Sequence, residues 1–177
     1  MSTEACAIPD SALLAKYRDA VYANAANAYT DCFATPLRGE LTLADFVNAF
    51  YTTWLFKLER LVIQYLAGKR STDADVARLA DGSAEVFAVW TVEARTPAQL
   101  LLCDDRGRTR SWLMVEPISQ GDQAHTLLRF GSAIVPETDS NNGKTELGMG
   151  FRLLLPIHRV YSRLLLRASR ARLLREQ

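Results

Sequence analysis

Only two histidines and three cysteines stand among 177 residues, and their scarcity excludes whole classes of chemistry. His125 and His158 have no cysteine, aspartate or glutamate at ligand spacing, so no zinc centre is expected. Structural or exposed roles are expected for both, with His158 kept as the candidate general base. Cys6, Cys32 and Cys103 are odd in number and show no paired spacing, which predicts reduced thiols and a cytoplasmic protein. Cys103, inside "LLLC", reads as a small buried hydrophobe. Long apolar runs are also missing: Leu153–Ile157 and Leu100–Cys103 are far too short to cross a bilayer. The first residues carry Glu4 and Asp10 and no basic residue before Lys16, unlike a secretory signal. Phosphate and dinucleotide loops are absent too, since "GMG" at 148–150 follows no strand-to-helix pattern. Ser132 in "GSA" lacks the glycines of a nucleophile elbow. No cofactor is expected, and no motif names a reaction.

What is present is ordinary globular composition, 49% hydrophobic and 23% charged, which predicts one domain over residues 1–177. Pro9-Asp10-Ser11 before "ALLAKYRDAVYANAA" predicts a capped first helix presenting Leu13, Leu14, Tyr17, Val21 and Tyr22. Residues 1–28 thus form a helical N-terminal extension. "NAYTDCFATPL" predicts a strand ending at Pro36. Thr42 with Asp45 starts one long helix, closed by Gly68, in which Phe46, Phe50, Trp54, Leu58, Leu61, Val62 and Tyr65 recur at core spacing. A short helix follows, capped by Ser71 or Thr72 and ended by Gly82. The period then changes. "AEVFAVWTVEAR", "AQLLLCDD", "TRSWLMVEP" and "AHTLLRFGSAIVP" predict a four-stranded antiparallel meander, with turns at 104–107 and 118–123. A polar loop leads to the last helix. The class is α+β, with helices on one face of an antiparallel sheet.

The final segment, "GFRLLLPIHRVYSRLLLRASRARLLREQ", divides by angle. Arg152, Arg159, Arg163, Arg167 and Arg170 fall within about 80° of arc. Leu153, Leu154, Ile157, Val160, Tyr161, Leu164, Leu165, Ala168 and Ala171 fill about 140° opposite. The expected arrangement seals that apolar arc against the meander and leaves the arginines in water. Pro156 fits the first turn, packing ends near Ala171, and residues 172–177 fray. From Phe151 onward seven arginines face one glutamate, leaving fourteen basic and nineteen acidic residues in the body. Membrane-surface docking is therefore the alternative for this helix. Nucleic acid is not expected, because the body is acidic and no aromatic-basic interleaving appears.

Strand alternation puts Glu93 and Arg95 on one face, and Arg110, Trp112, Met114 and Glu116 on one face of the adjoining hairpin. Glu93, Arg110 and Arg129 either form cross-strand ion pairs on a wet outer face, the favoured reading, or turn inward as polar anchors of an apolar pocket. Trp54, Trp90 and Trp112, with Met114, read as core.

This order of elements resembles the helix-grip fold of the START-like (SRPBCC) superfamily, in a bacterial branch. "FVNAFYTTWLFKLERL", "VWTVEAR", "LLLCDDRGRTRSWLMVEP", "LLRFGSAIVP" and "LLPIHRVYSRLLL" carry the likeness, over Tyr29–Ala171. Two departures are the added first helix and five strands where six or seven are usual, unless "TPLRGEL" or the 136–150 loop hides short ones. The resemblance implies a cavity between a curved sheet and the C-terminal helix for a hydrophobic or amphipathic small molecule. Binding or carriage is the expected function. The candidate ligand-contacting residues are Trp54, Trp90, Glu93, Arg110, Trp112, Met114, Arg129, His158 and Tyr161. The alternatives are a cyclase, dehydratase or hydrolase using the same cavity, and an interaction protein docking an anionic membrane or acidic partner.

Overall fold

A computed structural model describes residues 3–24, 29–120, 123–135, 137–138, 145–146 and 149–176; for 20–24, 66–67, 119–120, 123, 137–138, 145–146 and 149–153 only the backbone is described. Parts of the 118–123 turn and the 136–150 loop, and the side chains of Val21, Tyr22, Arg152 and Leu153, lie outside it.

The elements run β1 (Glu4–Ala5), α1 (Ala15–Asn24), β2 (Tyr29–Arg38), α2 (Leu43–Tyr51), α3 (Trp54–Ala67) and α4 (Asp73–Asp81). Then come β3 (Val86–Phe87), β4 (Trp90–Thr96), β5 (Gln99–Asp104), β6 (Thr109–Gln120), β7 (Gln123–Ile134), β8 (Glu137–Thr138), β9 (Thr145–Glu146) and α5 (Met149–Glu176). The expected class holds: an α+β chain with a curved, unclosed antiparallel sheet of seven strands, ordered β1-β2-β7-β6-β5-β4-β3, and a C-terminal helix. β8 and β9 pair separately, inside the loop suspected of hiding strands.

Local chemistry explains most boundaries. Thr42 Oγ1 accepts from the Asp45 amide at 3.1 Å, and the Asp45 carboxylate accepts from the Thr42 amide at 2.9 Å, a complete capping box. Gly68 and Gly82 close α3 and α4 at φ 67 and 82, where a Cβ would be strained. The long helix expected from Thr42 to Gly68 is two helices. Thr52 and Thr53 interrupt it, and Thr53 Oγ1 accepts from the Phe56 amide at 3.1 Å as a fresh N-cap. β2 also continues through Pro36, which pairs with Leu127. A proline lacks an N–H and is tolerated where one side of the strand carries little pairing. β1 pairs only with Ala34 and Phe33.

The sheet has two covered faces rather than one covered and one wet. Leu100, Leu102, Leu113, Val115, Leu128 and Phe130 point to the face under α2, α4 and α5. Cys32, Leu101, Trp112, Met114 and Ala133 point the other way, where Ile8, Ala12, Leu14 and Ala15 cover them. Gly131 permits that second layer to close, since a Cβ there would lie 2.8 Å from Leu14 Cδ2 and 2.8 Å from the Asp31 carbonyl.

α5 crosses β2 and β7 and packs on α2, but it buries a narrower arc than expected. Ser162, Leu165, Leu166, Ser169 and Leu173 are buried, while Leu154, Ile157, Val160 and Leu164 stay exposed. Two serines and three leucines share the buried seam, and the remaining apolar arc is too wide for one contact. Packing also continues beyond Ala171. Leu173 is buried and the Arg172 guanidinium donates to the Thr52 carbonyl at 3.1 Å, anchoring the stretch expected to fray. Pro156 stands well inside the helix, not in its first turn.

Candidate functional site

A cavity of about 700 Å3 opens between the sheet, α3 and α5. Its floor is Trp90 from β4, Ser111 from β6, and Phe130 and Ser132 from β7. Leu55, Phe56 and Glu59 of α3 form one wall, and His158, Tyr161, Ser162 and Leu165 of α5 the other. Leu58, Val62, Leu154 and Ile157 are both lining and exposed, so they form the rim. The positions follow from helical period: 58, 59 and 62 share a side of α3, as 154, 157, 158, 161 and 165 do on α5.

Polar groups in this apolar wall are few and placed in two sets. Tyr161 donates its hydroxyl to Glu59 across the gap between the helices. Burial raises the Glu59 carboxyl above its ordinary range, with the Tyr161 hydrogen bond pulling back in part. Burial, then the charge of Glu59, raises the Tyr161 phenol. At the floor, Ser132 Oγ lies 3.2 Å and Asp31 Oδ2 3.6 Å from His158 Nε2. Asp31 also accepts from the Ser132 amide at 3.0 Å and from the Tyr29 hydroxyl at 2.8 Å. Burial lowers the His158 imidazole, and nearby Asp31 opposes it. Serine and aspartate meet the same ring nitrogen, so the three do not form the relay in which the acid orients Nδ1 while Nε2 faces the nucleophile.

Two further groups are left wanting. Trp90 Nε1 and Ser162 Oγ are buried and have no hydrogen-bond partner among the described residues. Both residues line the cavity, but these two atoms have almost no accessible surface and are not open to it. A buried N–H without an acceptor costs about 1–3 kcal/mol of stability.

The nine candidates separate. Trp90, His158 and Tyr161 meet in the cavity, and Arg110 reaches its edge while its guanidinium is held by Glu93 at 2.8 Å and by the Gly107 carbonyl. Glu93, Trp112, Met114 and Arg129 belong to the opposite face and do not line the cavity. Neither reading of that trio was complete: Glu93 and Arg110 form an ion pair, as do Arg129 and Glu116 at 2.7 Å, yet under the N-terminal segment rather than in open water. Tyr17 donates to Glu93 at 2.6 Å and the Arg110 guanidinium sits 4.8 Å from the Tyr17 ring centre. Burial opposes it, but hydrogen bonds from Lys16, Tyr17 and Arg110 hold the Glu93 carboxyl down to about 2. Trp54 is 69% exposed and borders a separate polar hollow with Lys57, Arg172 and Arg175.

Sequence reading missed Glu59, Ser111, Ser132 and Ser162 as cavity residues. Glu59 was visible as a charge interrupting an apolar helix; the serines carried no signal. It missed a cysteine contact as well. Continuing the β1–β2 register sets Cys6 beside Cys32, with Sγ atoms 2.7 Å apart. Among the described residues, no group of three histidine, cysteine or acidic side chains could hold a metal ion, and no helix is long and apolar enough to cross a membrane. Comparison of this chain with protein-family models, with curated proteins and with solved structures found no match to any of them.

Proposed function

We propose that the chain binds or carries a hydrophobic or amphipathic small molecule in the cavity between its sheet and α5, as a START-like protein of helix-grip design. The strand order supports that design: β2 leads through α2, α3 and α4 to the far margin of the sheet, the meander returns to β2's side, and α5 closes over it. The observation that carries the ligand reading is the cavity itself, about 700 Å3 between sheet, α3 and α5, with a mostly apolar wall and the Glu59–Tyr161 pair set into it. Ligand sites of about 300–1,000 Å3 combine such apolar walls with a few convergent polar groups.

Titration with a neutral apolar fluorophore such as phenylnaphthylamine tests this directly. The expected result is saturable, stoichiometric fluorescence enhancement that dodecanol reverses, together with a co-purifying mass in native mass spectra. Absence of both would remove the proposal.

One observation favours a second reading, docking on an anionic membrane. Trp54, Leu61 and Tyr65 of α3 and Val160 and Leu164 of α5 are exposed on the helices that bound the cavity, and Arg159, Arg163 and Arg167 are exposed on α5. Contiguous exposed apolar surface marks an interaction site. Flotation with phosphatidylserine vesicles is then expected at low salt and reduced at high salt. Failure to float at either salt concentration rejects docking and leaves the cavity untouched.

A further inference from the structure

We infer that the cavity selects a cationic amphiphile, a lipophilic amine whose ammonium group pairs with Glu59 while its hydrocarbon fills the apolar interior. This inference rests on the cavity reading and adds the charge of the ligand to it.

The carboxylate of Glu59 lines the cavity and has one protein partner among the described residues, the Tyr161 hydroxyl. The bond engages one oxygen, Oε2, and leaves Oε1 with none. Among the described residues, the other charged groups near the site are already engaged. On α3 itself, Lys57 and Arg60 both turn toward α4 and bind Asp73 at 2.6 Å and 2.7 Å. Arg60 also donates to Ser71 at 3.1 Å through Nε. Arg110 at the cavity edge is paired with Glu93, which it shares with Lys16. His158 is near Asp31, 3.6 Å away, on the floor. Glu59 is therefore an acid in a mostly apolar wall without a cation of its own among the described residues.

Burying a carboxylate this way is unfavourable unless it is paired or protonated. A ligand can remove that penalty. An ammonium within reach of Oε1 supplies the missing counter-charge and a charge-assisted hydrogen bond. A fatty carboxylate in the same place would set two like charges against each other in a poorly solvated space. A neutral alcohol could donate a hydrogen bond but would leave the charge uncompensated.

Dodecylammonium, dodecanol and dodecanoate, each below its micelle concentration, share one tail and differ in head. Their dissociation constants can be read by displacement of the neutral fluorophore from the full chain. The amine is expected to bind about tenfold tighter than the alcohol, the scale of one charge-assisted hydrogen bond, and the carboxylate weakest. Glu59→Gln should bring the amine to within about threefold of the alcohol and leave the alcohol unchanged. Tyr161→Phe keeps the carboxylate and should keep the preference, which guards against a folding defect in the first variant. If dodecanol binds but dodecanoate equals or exceeds the amine, or Glu59→Gln leaves the ratio intact, the inference fails while the cavity reading stands. If none of the three displaces the fluorophore, both fail.

Discussion

Phe50→Ala should lower the stability of the chain by about 3–5 kcal/mol, one of the two largest single-residue losses expected here. Its ring is 1% exposed and lies 4.7 Å from Phe130, 5.1 Å from Tyr51 and 5.9 Å from Phe46, centre to centre. Phe130 belongs to β7 and Tyr51 to the end of α2, so the ring joins helix to sheet. Domains of this kind are held by roughly 5–15 kcal/mol in total, so the variant would sit near the edge of folding. Urea unfolding at unchanged m-value is the measurement, and a loss below about 1 kcal/mol would contradict the packing described. The same ring lines the cavity, so the variant should also enlarge the ligand space. Phe50→Leu, which keeps most of the volume, should cost about 1–2 kcal/mol.

Trp112→Ala should cost a similar amount, about 3–5 kcal/mol, but with a different local signature. Trp112 is fully buried on the far face of the sheet, and its Nε1–H donates to Gln99 Oε1 at 3.0 Å. That oxygen also accepts from the Leu13 amide at 2.8 Å, while Gln99 Nε2 donates to the Ser11 carbonyl at 3.0 Å. One glutamine thus fastens the N-terminal segment to the sheet, and the indole holds the glutamine. Amide exchange in residues 8–17 should accelerate well before that of β6 and β7, because the lost contacts belong to the covering layer. Uniform acceleration across the sheet would overturn this account. Trp112→Phe retains most of the packing and forfeits the hydrogen bond, for about 1 kcal/mol.

The meander was legible because each strand of an antiparallel sheet alternates faces, and β5, β6 and β7 show that alternation in their own residues. Capping signals at Thr42, Thr72, Gly68 and Gly82 were equally plain, since they act within one turn. What escaped were choices made by tertiary contact. The spacing of Trp54, Leu58, Leu61 and Tyr65 is helical, but nothing local says whether such a face meets a core, and here it meets solvent. The break at Thr53 was hidden inside a continuous apolar rhythm. On α5 the apolar arc was correctly placed in angle and wrongly assigned in full to the sheet, because the buried line runs through Ser162, Leu165, Leu166, Ser169 and Leu173 and leaves Ile157, Val160 and Leu164 outside it.

The candidate site was legible to a lesser degree. Trp90, His158 and Tyr161 were anticipated, and they come from distant segments brought together by the fold. Glu93, Trp112, Met114 and Arg129 were anticipated for the cavity and sit across the sheet from it. Which face of a strand looks inward depends on what covers each side, and the N-terminal segment that covers the far side carries no distinctive motif. Glu59 lies on a helix whose Lys57 and Arg60 bind Asp73, sixteen and thirteen residues along the chain, a contact that no local pattern announces.

The margins of the sheet have a consequence for how the chain behaves in a crowd. Each outermost strand, β1 and β3, is only two residues long, and the Pro36 carbonyl on β2 is taken by the Arg170 side chain at 3.2 Å. A neighbouring molecule seeking to add a strand finds short templates interrupted by a proline and a guanidinium. Stacking edge to edge into fibrils is thereby discouraged, without any loss of pairing among the five strands between them.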